Sequence, residues 1–262
     1  MKILNIFKAS LYKQLIEKKR YFFNTIANII VFYIIFIVIF LGFKFFNKTS
    51  AITPNNYGNT LEGIIVSYYT WTMIMATYTY SSFNIMDDIK KGTLEQLMIT
   101  PIKYSRLLTI DNLINILIFS MLSLIILFML MLTTGHWLNF NLISIIILIL
   151  IGMISILGIG LLLSGLAIKF KKIESILSAM QFVFLILTFI PVENYKFMVL
   201  APFSATNTMI KKVLIDNYTL LNFNIIDYWI IILNSILYFT IGITTFNYFI
   251  KKAKKEGLLN HY

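Results

Sequence analysis

The chain reads as an all-α integral membrane protein with six transmembrane helices, and three observations carry that reading. Of its 262 residues 59% are hydrophobic and only 13% are charged, against about 25% charged in a usual soluble domain. The apolar residues come in long blocks, and a bilayer core takes about 20 of them to cross as a helix. The basic residues gather at the ends of these blocks.

Residues 1–20 predict an amphipathic helix lying at the membrane surface. Leu4, Phe7, Leu11 and Leu15 share one face, with Lys2, Lys13, Glu17 and Arg20 roughly opposite. A signal peptide is the competing reading. It fails because the apolar run after Arg20 is too long for an h-region of about 7–15 residues, and no small-residue cleavage site ends it.

The first span covers about 22–46, and a polar loop, Asn47–Thr60, follows it. The second span, about 61–85, is rich in tyrosine, threonine and serine. Tyr68, Thr72, Met75, Thr79 and Ser82 recur at helical spacing and share a face. Two readings stand for that face: hydrogen bonding and packing inside a bundle, or the lining of a path for an amphipathic substrate.

A charged loop, 86–106, leads to the third span at about 107–132, entered through Asp111, Asn112 and Asn115. A short turn containing His136 and Trp137 precedes the fourth span, about 142–168, whose Gly152, Gly158, Gly160 and Gly165 permit close helix approach. The fifth span, about 173–190, ends at Pro191. Residues 192–227 are apolar only in pieces and suit short re-entrant or outer interfacial helices. The sixth span is about 229–250, and a basic tail, 251–262, closes the chain.

Orientation follows from charge. With both termini inside, the inner segments hold 17 basic residues and the outer segments five, the bias that the positive-inside rule requires.

The loop Met86–Arg106 carries seven charged residues between two apolar runs, so it lies in water or at an interface. Thr93 and Gln96 have capping-box spacing, and Leu94, Leu97 and Met98 form a small apolar face, which together predict a one-to-two-turn helix. Thr100-Pro101 then stops it and offers an N-cap and first-turn proline to the next span.

That loop resembles the first intracellular loop of the ABC type-2 permease family. Two acidic and two basic residues, then G-T-L-E-Q-L-x-x-T-P, then a basic residue and a new span carry the likeness. Where family members often have Glu-Arg-Glu ahead of the glycine, this chain has Asp87-Asp88 and Lys90-Lys91. The resemblance implies a coupling helix, residues 87–98, docked on a separate cytosolic ABC ATPase that binds the ATP and Mg. On this reading Leu94, Leu97 and Met98 enter a cleft of the ATPase, while Asp87, Asp88, Lys90, Lys91 and Glu95 orient the contact around Gly92, Thr93 and Gln96. It further implies an exporter in a bacterial cytoplasmic membrane, built from two permease copies or two related permeases.

Other classes fit less well. The net charge of +11 sits at span ends, where membrane topology rather than nucleic-acid binding accounts for it. No cysteine is present, which excludes thiolate sites. No phosphate loop occurs, so no cofactor is expected in the chain itself. The two histidines, His136 and His261, have no metal-ligand or catalytic spacing, and an intramembrane enzyme is not expected. An ion-driven carrier or channel is the remaining alternative, but no span core holds the ionisable residues that such proteins use.

Overall fold

The computed structural model describes residues 2–49, 60–100, 102–139, 141–170, 172–190, 192 and 196–256, the side chains of 2, 3 and 46–49 excepted. Those residues form α1 (Lys2–Arg20), α2 (Phe22–Thr49), α3 (Leu61–Lys90), α4 (Leu94–Ile99), α5 (Tyr104–Thr134), α6 (Leu142–Phe170), α7 (Glu174–Phe189), α8 (Ser204–Ile215) and α9 (Ile225–Glu256), with two short 3-10 turns, Lys196–Leu200 and Leu220–Asn222. No strand occurs among the described residues.

Four helices, α2, α5, α6 and α9, are long and apolar enough to cross a bilayer. Their outward faces are apolar: Ile30, Ile34 and Val38 on α2, Met121 and Phe128 on α5, and Leu233 and Leu237 on α9 are all exposed. A belt of this kind suits lipid rather than water. The chain is therefore a multi-pass membrane protein.

Helices α3 and α7, which also correspond to expected spans, differ from these four for physical reasons. Helix α3 has 30 residues, which at 1.5 Å per residue is about 45 Å, but eleven of them carry hydroxyls. It is also the centre of the bundle, with 19 of its residues buried and neighbours α2, α5, α6, α7 and α8 around it. Its polarity is absorbed there. Thr72, Thr77 and Thr79 hydroxyls donate to carbonyls three or four residues back on the same helix, while Trp71 and Tyr78 donate to the Gln181 and Leu177 carbonyls of α7. Helix α7 has 16 residues, about 24 Å, shorter than a bilayer core.

Contacts sort the helix ends into two groups. At one end Gln14 of α1 donates to the Asp111 carbonyl of α5 (2.8 Å), Lys90 pairs with Glu174 (3.0 Å), and Lys254 donates to the Met98 carbonyl (3.3 Å). At the other end His136 lies 3.7 Å from Glu62, and the Asn139 amide donates to the Leu214 carbonyl (2.9 Å). There α8 forms a plug. Its buried Asn207 and Lys211 both donate to the Thr188 carbonyl at the end of α7, and Asn207 accepts from Thr70 of α3.

Glycines set the tightest packing, between α6 and α9, the most extensive helix pair. A Cβ on Gly242 would stand 2.0 Å from the Gly158 carbonyl oxygen, and one on Gly158 would stand 2.2 Å from the Tyr238 carbonyl oxygen. The two backbones meet with no room for a side chain. Gly160 meets α3 at Ser81, and Gly152 meets Thr206 and Phe203 at the plug.

Several expectations need correction. Helix α5 starts at Tyr104, with Lys103 in the N-cap position, so Thr100 does not cap it. The Thr100 hydroxyl instead donates to the Leu97 carbonyl and closes α4. Helix α1 turns Ser10 and Gln14 toward the protein and leaves Leu4 and Leu15 exposed. Its bundle contact is centred on these polar side chains, with Phe7 and Leu11 of the apolar stripe half-buried beside them. Pro101, Pro191, most of the loop 47–60 and the tail beyond Glu256 lie outside the described residues.

Candidate functional site: the α3–α5 connection and an adjoining groove

The turn after α3 is made by Gly92, whose φ of +68° lies in the left-handed region that glycine adopts without a Cβ penalty. Reversal at Gly92 lets α4 fold back across the bundle end. Thr93 has helical backbone angles and its side chain makes no cap bond, so the expected capping box with Gln96 does not form. An N-cap needs an extended residue. Thr93 Oγ1 instead donates to Asp88 Oδ1 (3.0 Å), and Tyr104 Oη donates to Asp88 Oδ2 (3.1 Å). One carboxylate therefore ties the end of α3, the start of α4 and the start of α5.

The face of α4 is the reverse of the one expected. Leu94 and Met98 are buried, 3% and 8% exposed, and Leu97 packs half-buried against the same core. Two of the three residues expected to enter a partner's cleft hold the helix to its own bundle instead. What α4 presents is Ile99, 82% exposed, with Gln96 beside it. Asp87, Lys90 and Lys91 at the end of α3 are exposed, while Asp88 and Glu95 are half-buried. Lys90 is engaged with Glu174 and Lys91 approaches Asp87 at 3.9 Å, both as exposed pairs that contribute only about 0–1 kcal/mol.

Replacing Asp88 by Ala removes both acceptors. A hydrogen bond to a charged group is worth about 1.5–3 kcal/mol, so tryptic cleavage after Lys90 and Lys91 should quicken at least about tenfold. Tyr104→Phe, which keeps one bond, should fall between that variant and the parent in the same digest.

The five residues of the α3 face divide. Tyr68, Thr72 and Ser82 are fully buried and bond within the bundle, Tyr68 to the Phe32 carbonyl of α2. Met75 and Thr79 line a groove of about 590 Å³ between α2, α3 and α5. Its wall is graded along its length. Lys18, Asn24, Asn28 and Asn84 line the part toward the α4 end, and Phe32, Phe119 and Ile126 the part further along. The register is fixed by Asn115 Nδ2 donating to the Ala76 carbonyl and by Phe32 packing edge-on to Trp71 and Phe119.

Sequence reasoning missed Ile99, Tyr104, Asn24 and Asn28. For the two asparagines a signal existed: amides at i, i+4 in an otherwise apolar span are out of place facing lipid. No family model, no curated protein and no solved structure matches this chain.

Proposed function

We propose that the chain is the membrane-spanning permease subunit of an ATP-driven exporter, of the kind its α3–α5 connection resembles in the ABC type-2 permeases. The observation that carries this reading is α4. It is a short helix locked to its own bundle by Leu94, Met98 and the Asp88 hub, and it leaves Gln96 and Ile99 exposed. So attached, α4 passes a push on it into the bundle. A motor protein gripping α4 would move α3 and α5 directly, since both are joined to it.

On this reading α2, α3, α5, α6 and α9 cross the bilayer, α7 is a short sixth span accommodated by local thinning, both termini are cytoplasmic, and α8 faces outside. The 17-to-5 basic bias supports that orientation. The energy comes from a separate ATPase holding ATP and Mg, and two permease copies share one pathway. The graded groove at Met75 and Thr79 supports an amphipathic cargo such as a peptide, lipid or drug-like molecule, with its polar part at Asn24, Asn28 and Asn84.

The absence of cysteine makes the test direct. A single cysteine at Lys91 should be labelled by a membrane-impermeant maleimide only after the cells are opened, and the purified chain should bring an ATPase with it. Labelling of intact cells, or transport by the purified chain without an ATP-hydrolysing partner, would overturn the reading.

A further inference from the structure

A second cavity, of about 400 Å³, lies between the end of α4, the start of α5 and the end of α9. Lys103, Lys251 and Lys254 line it, and no carboxylate does among the described residues. Lys254 is partly engaged through the Met98 carbonyl (3.3 Å). Lys103 and Lys251 are exposed and form no ion pair among the described residues. Three like charges around one hollow repel each other until an anion enters.

Two further features point the same way. Ser105 lines the cavity beside these lysines and adds a hydroxyl donor to its wall. Helix α5, moreover, begins here with Lys103 in its N-cap position, no side-chain cap and no acidic residue in its first turn. A cation is the wrong sign for a helix N-terminus. The remaining wall includes Ile102 and Ile250, apolar and at the level where the apolar length of α9 gives way to lysine.

We infer that this cavity binds a phosphate-bearing anionic group, with Lys103, Lys251 and Lys254 pairing its charge and Ser105 donating to a phosphate oxygen. The apolar wall and the place at the bundle end fit the headgroup of an anionic phospholipid, since basic pockets between helices at a membrane face hold such groups. The site needs no ATPase, so it stands or falls apart from the transport reading.

The test uses the full chain in detergent micelles, titrated with phosphatidylglycerol or phosphatidylcholine while tryptophan fluorescence reports thermal unfolding. Phosphatidylglycerol should raise the midpoint saturably and phosphatidylcholine should not. K103Q/K251Q, which removes two exposed side chains with no internal ion pair, should raise the half-saturating concentration about tenfold or more. K169Q/K172Q, basic residues elsewhere on the chain, should leave it unchanged. Native mass spectrometry should count one tightly held phosphatidylglycerol per chain, lost in K103Q/K251Q, a readout that does not depend on stability. Equal sensitivity of the two double variants, or none in K103Q/K251Q, would overturn the site. Inorganic phosphate acting as well as phosphatidylglycerol, with the same dependence on Lys103 and Lys251, would support the phosphate chemistry and overturn the lipid source.

Discussion

Gly242→Leu should leave little folded protein. The Cβ alone would lie 2.0 Å from the Gly158 carbonyl oxygen, a distance that no rotamer relieves because the obstacle is backbone. The remedy is to push α6 and α9 apart, and that loosens the most extensive helix pair in the bundle. Overpacking a core costs about 1–3 kcal/mol where side chains can yield; here they cannot, and a loss at or above that range is expected. Gly158→Leu attacks the same crossing from the other side and should behave alike. Gly42→Leu supplies the control, since nothing lies within 4 Å of a Cβ there. Size-exclusion chromatography of the detergent extract should give a monodisperse peak for Gly42→Leu and aggregate for the other two.

Ile99→Asp should have the second largest effect, and it should be purely one of association. Ile99 is 82% exposed, so a carboxylate there leaves the bundle intact, and surface changes of this kind usually alter stability by no more than about 0.5 kcal/mol. If a partner buries that side chain, an unpaired charge is driven into an apolar contact. Central contacts of that type cost about 2 kcal/mol or more when lost, so ATPase copurifying with the chain should fall at least about tenfold. Thermal unfolding of the variant alone should match the parent. Undiminished copurification would remove Ile99 from the contact and weaken the role proposed for α4.

The contrast between these two sites shows what was legible in the sequence. The apolar runs of α2, α5, α6 and α9 were plain, because twenty or so apolar residues in a row have few other uses. The fourth-span glycines read as points of close approach, but their opposite number, Gly242, stood alone in its span and carried no pattern. Helix α4 was legible as a helix, and its apolar stripe was found. Which neighbour that stripe meets was not, since periodicity tells which residues share a face and says nothing of what faces them. Leu94 and Met98 meet their own bundle. The capping box failed for a similar reason: Thr93-x-x-Gln96 has the spacing, but the left-handed turn at Gly92 leaves Thr93 helical, and its hydroxyl finds Asp88 first. In α1 the bond to the bundle comes from Gln14, beside an apolar stripe of which only Leu4 and Leu15 are exposed.

The eleven hydroxyls of α3 bear on how the protein is made. A segment so polar enters lipid reluctantly by itself, whereas α2 before it and α5 after it partition readily. Its threonines soften the difference by bonding their own helix backbone, so part of the polarity is already hidden while the segment is still leaving the ribosome. The rest is hidden only when later helices arrive: the Trp71 and Tyr78 side chains find their acceptors on α7, more than a hundred and nearly a hundred residues downstream respectively. Biogenesis therefore has an order built into it. The most central rod is the one whose side chains find their last partners only after α7 has been made.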